Sequence, residues 1–361
     1  LSSCFSRRFE IEFDEKRALQ YVVKFIAALS RDYFCPDQTP LEKRLHAWNK
    51  VHRQNQYDAM TPYAEKITVE YMGKIGEPCS LQMTKRLSSP IDCAKHLSKL
   101  LVDRSIVAMV NGLPWGMHRP LVEDCTLDFV HLKDAHHDPV VANRAFWCSA
   151  SFLLAATLET AFHTEHAVRL LRTWPTEPEH GSFVCDITFT PTKTEESPQD
   201  SRVPWIPSKR ELSALSAHGQ QLASDISDFV PVQVSSTHEL FALCCPDDAS
   251  HSDQLKSNIS ARYFYRMGNF VQAHDDDNDG PLISSTRMFG RFAVTRCYAL
   301  GWLYDHTPSL DYPMGVMVYR VHGTALPSAF PTHFTTFERL VQWSREPNPG
   351  VPAKPDYVIP F

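Results

Sequence analysis

Residues 274 to 282, HDDDNDGPL, offer carboxylates spaced as a calcium loop would space them. Asp275, Asp277, Asp279 and Gly280 fall at positions 1, 3, 5 and 6 of an EF-hand loop. At position 12, where a bidentate carboxylate must close the coordination sphere, stands Thr286, and Pro281 follows the turn glycine. The segment entering the loop, RYFYRMGNFVQ, is aromatic and carries a glycine, so it reads as a strand where an EF-hand needs a helix. A solvated acidic turn is the expectation.

The other reactive side chains also stop short of a site. His238-Glu239 begins like the zinc-protease pattern HExxH, but the fifth residue is Ala242, so the pair is expected to cap a helix. His163 and His166, at i and i+3, could share a helix face; with no third ligand in sight they read as a solvated pair at a helix end. There is no GxxxxGK[ST] loop, no GxGxxG after a strand and no GxSxG elbow. The ten cysteines are scattered without a CxxC pair, which suggests neither a zinc framework nor a secreted disulfide scaffold. Neither a cofactor nor a metal is expected.

The elements that must position these groups are legible in patches. With 361 residues and 43% hydrophobic composition the chain can bury a real core. Residues 15 to 33 have helical periodicity. TPLEKRLHAWNKV then offers Thr39 as N-cap, Pro40 at the first helical position and Glu42 three residues on, with Leu41, Leu45, Trp48 and Val51 on one face. That apolar stripe could lie on the chain's own body or on a partner. KITVEYMG alternates as a half-buried strand, Ser89-Pro-Ile-Asp92 opens a short helix with Ile91, Ala94 and Leu97 inward, SIVAMVNGLPW is a hairpin around Asn111-Gly112, and CTLDFVHL closes the unit. A long helix from about Arg144 to Phe162 and a strand GSFVCDITF begin a second module. A polar, Pro-containing loop follows. Ser208 and Glu211 then box a helix whose stripe is Leu212, Leu215, Leu222 and Ile226, and STHELFALCC reads as a shorter helix. The tail EPNPGVPAKPDYVIPF reads as extended.

The apolar charge-free run Ala145 to Leu158 is too short to cross a bilayer, so no membrane span is expected. A net charge of −6 confines any RNA contact to local basic patches. The candidates are Arg7, Arg8, Lys43, Arg44, Lys50 and Arg53 in the N-terminal region, and Lys85 and Arg86 beside the short helix. The opening LSSCFSRRF, Ser- and Arg-rich with no acid before Glu10, resembles the end of an organellar transit peptide.

In order, these segments resemble a known assembly. The unit from about Ala64 to Asp134 resembles a TGS domain, the ubiquitin-like β-grasp module that begins many threonyl-tRNA synthetases. The helix FWCSASFLLAATLETAF, the strand GSFVCDITF, the capped helix from Ser208, the RMGNF strand with its acidic loop and the late YRVHGTA resemble that enzyme's editing domain. In an active editing domain the helix carries His-x-x-x-His and the loop Cys-x-x-x-His, a cluster able to polarise a water. The resemblance places Cys148 and Phe152 at the two helix histidines, Asn278 at the loop cysteine and Leu282 at the loop histidine, so the catalytic set is degenerate. The chain also stops where the synthetase's aminoacylation domain would start.

The VNGLPW hairpin with its RPL, the FWCS helix start and the GNF…DGPLI loop are similar to one family, the synthetase-derived mitochondrial large-subunit ribosomal protein thirty-nine. The resemblance implies an α+β fold with residues 1–63 as an N-terminal helical extension, 64–135 as the β-grasp domain, 136–345 as an inactive editing-like domain and 346–361 as a Pro-rich tail. It implies a non-catalytic structural protein of the mitochondrial matrix, docked on large-subunit rRNA and neighbouring mitoribosomal proteins, with no small-molecule substrate. The alternative from another class is a free-standing trans-editing hydrolase of misacylated tRNA using Cys148, His163, His166 or His274.

Overall fold

Strand β1 (Lys66–Tyr71) turns Ile67, Val69 and Tyr71 into the protein and leaves Lys66 and Glu70 in solvent, the period-two burial that KITVEY dictates. The computed structural model describes residues 39–60, 64–73, 77–133, 138–162, 166–174, 177–191, 204–245, 262–303 and 316–359. The helix expected at 15–33 lies outside them. β1 sits in a five-stranded sheet with β2 (Cys79–Thr84), β3 (Val107–Val110), β4 (Leu113–Trp115) and β5 (Cys125–Val130), in the order β2-β1-β5-β3-β4. Only β1 and β5 run parallel; the other neighbours are antiparallel. The β3–β4 turn needs two positive φ angles, and Asn111 (51°) and Gly112 (79°) supply them. Helices α2 (Pro90–Leu97) and α3 (Lys99–Arg104) contribute Ile91, Ala94 and Leu101 to the core of this sheet. At the head of α2 Ser89 and Asp92 form a capping box, the Asp92 carboxylate accepting from the Ser89 amide (3.1 Å).

Helix α4 (Pro139–Ala161) starts at Asp138, whose side chain accepts from the Val140 amide, with Pro139 in the first turn. By length and composition its 23 residues would suffice to cross a membrane, which the charge-free run alone did not suggest; 72% of its apolar window is buried inside the protein. It is a core helix. After it runs β6 (His166–Trp174), a strand unmarked in the sequence reading. β6 opens the five-stranded antiparallel sheet β13-β11-β12-β7-β6, with β7 (Phe183–Pro191), β11 (Phe289–Leu303), β12 (Met317–Pro327) and β13 (Val358–Ile359). Helix α5 (Lys209–Ser224) packs on β11, and Gly219 lets it close: a Cβ there would stand 2.3 Å from the Phe292 ring. The buried positions of α5 are Leu215, His218, Gly219 and Ala223; Ile226, expected in the stripe, lies past the helix end with φ 34° and is exposed.

A three-stranded sheet, β10-β9-β8, is built from β8 (Val230–Val234), β9 (Arg262–Met267) and β10 (Phe270–His274). The aromatic run read as one strand is therefore a hairpin, turned at Gly268 with φ 57°. Against this sheet lie α6 (Glu239–Cys244), capped by the His238 ring as expected, and α1 (Pro40–Ala59). The apolar stripe of α1 covers the chain's own body. Trp48 is fully buried and its indole N–H donates to the Phe264 carbonyl (3.0 Å). Arg44, a candidate RNA contact, is corrected here: it lies on the buried face and forms an ion pair with Glu159 of α4, and it donates to Gln272 (3.2 Å). Burial raises the Glu159 pKa while Arg44 opposes the rise.

The tail returns to its own sheet. β13 pairs with Trp302 and Leu303 of β11, and the Tyr357 hydroxyl donates to Asp186 (2.6 Å). Asp186 also holds Arg320 through two 2.8 Å contacts and accepts from the Trp174 indole (2.7 Å), so this buried carboxylate ties β6, β7, β12 and the tail together.

Arg44→Ala strands a buried carboxylate and is expected to cost about 3–5 kcal/mol in urea unfolding. Changing both partners to Met should cost far less, because no charge is then left without its partner.

Candidate functional site

The acidic loop spends its carboxylates locally. α7 (Asp276–Asp279) is a single helical turn; Asp275 caps it, its Oδ1 accepting from the Asn278 amide (3.1 Å), and Gly280 leaves the turn with φ 77°. Asp276 points inward, where its Oδ2 accepts from the Tyr265 hydroxyl (2.9 Å) and lies 3.7 Å from Arg119. These carboxylates face separate partners and do not converge on one point. Among the described residues no group of three or more His, Cys, Asp or Glu side chains is placed to hold a metal ion.

One turn of α4 faces this loop. The Cys148 Sγ donates to the Asp279 carbonyl (3.6 Å), and the Ser149 hydroxyl accepts from the Ile283 amide (2.9 Å), so the helix grips the loop at successive residues. Arg144 adds a contact to the Asn278 carbonyl (2.8 Å). Cys148, Ser151, Phe152, Trp174, His274 and Asp279 surround a cavity of about 40 Å³. Ligand pockets typically run to roughly 300–1,000 Å³. The space fits a water or two.

Each of the four candidate positions has a structural use. Burial, with the Asp279 charge nearby, pushes the Cys148 thiol up to about 12, so it is protonated at neutral pH. Phe152 is buried and meets Phe229 and Phe270 edge to face, at centroid distances of 5.7 and 5.1 Å. Leu282 is buried beneath the loop, and Asn278, on its outer side, donates from its side chain to Asp275 (2.7 Å). The structure thus brings Cys148 and Phe152 to one cavity with the acidic loop, and gives them a thiol and a phenyl ring. A His274 ring nitrogen is engaged by the Gly280 carbonyl (2.8 Å). His163 lies outside the described residues. His166 begins β6, so the expected helical pair does not form; the helix ends at Ala161.

The basic candidates separate as well. Lys43, Lys50 and Arg53 are exposed on α1, Lys85 forms an ion pair with Glu65 (2.7 Å), and Arg86 is exposed at φ 60°. Arg7 and Arg8 lie outside the described residues. Sequence reasoning passed over Arg119, whose guanidinium lies 3.7 Å from the Trp115 ring and 4.4 Å from that of Tyr263. Trp115 and Tyr263 are 148 positions apart in sequence, so no local signal could announce that clamp.

Residues 64–131 match the model of the TGS domain. Over 330 residues, 89% of each chain, the sequence is 33% identical to the large ribosomal subunit protein mL39 of Drosophila melanogaster. It is also 24% identical over 122 residues to a cytoplasmic threonine–tRNA ligase 1 of Bos taurus and 28% identical over 129 residues to the cytoplasmic threonine–tRNA ligase of Saccharomyces cerevisiae. Those two matches span only 16% and 17% of the ligases.

Alkylation followed by peptide mass spectrometry is expected to label exposed Cys79 quickly at neutral pH and Cys148 only slowly; equal rates would contradict the buried, protonated thiol. Burial pushes Asp276 up to about 6, against His274, Tyr265 and Arg119, which pull it down. A carboxyl whose folded pKa exceeds its unfolded value contributes stability that is full below the unfolded value and is lost as pH rises through the folded one. Relative to Asp276→Asn, the wild type should therefore lose up to about 3 kcal/mol between roughly pH 4 and 7, read as paired denaturation midpoints.

Proposed function

Because the chain belongs to the mL39 family of large ribosomal subunit proteins, we propose that it is a non-catalytic structural component that holds its place through ribosomal RNA and neighbouring ribosomal proteins. Its setting is the large subunit of the mitochondrial ribosome, in the matrix. The observation that carries the non-catalytic part is the fate of the cleft. At the four positions that would hold an editing cluster stand a protonated thiol, two buried hydrophobes and an exposed amide, and the cavity that the thiol and the Phe152 ring line is too small for an aminoacyl ester. The same reading divides the chain into an extension to residue 63, a β-grasp module over 64–135, an inactive editing-like module over 136–345 and the tail.

On α1 the exposed residues Lys43, His46, Lys50 and Arg53 follow at i, i+3, i+7 and i+10, which puts them on one side of the helix. The opposite side carries Arg44, Ala47, Trp48 and Val51 and is buried. The helix thus presents a cationic edge about 15 Å long to whatever lies outside. In this reading Lys43, Lys50 and Arg53 meet phosphates, and Arg44 is the latch that holds the helix in place.

On a sucrose gradient of an organelle lysate the protein is expected to travel with a large-subunit marker and to leave it after ribonuclease treatment. Migration near its own 41.1 kDa, indifferent to ribonuclease, would overturn the ribosomal role, and deacylation of mischarged threonine tRNA would then test the hydrolase alternative. Lys43→Glu, Lys50→Glu and Arg53→Glu together should release the protein from the subunit at lower salt than wild type.

A further inference from the structure

The β-grasp module and the editing-like module meet along a polar seam. The Ser284 amide donates to the Ile106 carbonyl (3.0 Å), its hydroxyl donates to the Ser105 carbonyl (2.9 Å), and the His118 ring contacts the Ser284 carbonyl (3.0 Å). Burial chiefly, and the Lys95 ammonium in addition, hold His118 below the ordinary imidazole value, against Asp228. Arg287, three residues past Ser284, pairs with Asp103 of α3 across this seam (2.9 Å). Over it lies a surface groove of about 740 Å³ lined by Lys95, Lys99, Val102, Asp103 and Arg287. Three cations face one carboxylate. Lys95 and Lys99 come from α2 and α3, whereas Arg287 comes from the short 3-10 turn Thr286–Met288, so the groove exists only where the two modules are docked.

Resting on the ribosomal reading above, we propose that this groove is a second RNA-backbone site, in which Lys95, Lys99 and Arg287 meet the phosphates of a ribosomal RNA strand crossing the seam. The walls favour RNA over an acidic protein. Val102 is the single apolar side chain among the lining residues, so there is no aromatic or aliphatic pocket for the buried anchors on which protein interfaces depend. Phosphates need only positioned positive charge. The existing ion pairs, Lys95 with Asp92 (3.0 Å) and Arg287 with Asp103 (2.9 Å), are solvated on both sides, so a phosphate can take over either cation with little loss. Asp103 is the competitor within the groove. Its removal strengthens phosphate binding.

The test uses the full chain, a short mixed-sequence RNA duplex as probe and a titration of salt. In Lys95→Gln/Lys99→Gln/Arg287→Gln the slope of log K against log salt should fall by about two to three relative to wild type, with the thermal midpoint unchanged. Asp103→Asn should tighten binding several-fold, a gain that mere loosening of the seam does not produce. An unchanged slope in the triple variant, or no gain with Asp103→Asn, overturns the proposal. So does tighter capture of polyglutamate than of the duplex, lost in the triple variant, which would mark an acidic protein partner. Wild-type sedimentation is scored in parallel: co-migration with the large subunit beside an unchanged slope sinks the groove alone, and failure to co-migrate sinks the ribosomal reading beneath it.

Discussion

The burial of α4 along most of its length is the constraint from which the rest of the architecture follows. A helix of 23 residues that is apolar nearly all round must be enclosed by protein, and no single sheet can do that. The five-stranded sheet covers it through β6, β7 and β12, α5 lies beside it, and the three-stranded sheet approaches through β10. The one acid deep on the helix, Glu159, needs a counter-charge, and the chain supplies it from Arg44, 115 positions upstream. In this way α1, which packs on the three-stranded sheet, is also tied to α4.

The cleft beside α4 is closed by packing and by hydrogen bonds between helix and loop. The loop makes its turn at Gly280, and the helix grips it through Cys148 and Ser149. What fills the interior is chosen for packing. Phe152 completes an aromatic cluster with Phe229 and Phe270, and Leu282 closes the floor. A ring in that cluster gains contact with every neighbour, whereas an imidazole there would need a partner for each nitrogen.

How much of this was legible depended on how local the signal was. The alternation of KITVEY, the Asn111-Gly112 turn and the box at Ser208 are decided within a few residues, and each formed where its pattern placed it. The hairpin hidden in RYFYRMGNFVQ was missed because aromatics stand on both sides of Gly268, and a two-residue turn left the run looking continuous. β6 went unnoticed for want of alternation, being partly buried on both faces. Arg44 was the clearest failure. A cation in a basic stretch reads as exposed, and nothing near it in sequence announces Glu159. No spacing rule joins Cys148 to Asp279, so their contact has no local signal in the sequence.

Trp48 and Val51 cover Val232, Phe264 and Val271, so the first described helix is completed by strands made more than 180 residues later. Ribosomes add roughly 5–20 residues per second, so this apolar face waits on the order of ten seconds or longer for its cover. The separation also lengthens the loops that must close before the contact forms, which slows folding. Until β8, β9 and β10 have all been made the Trp48 face has no cover, and a helper that shields hydrophobic surface during synthesis would find its natural target there.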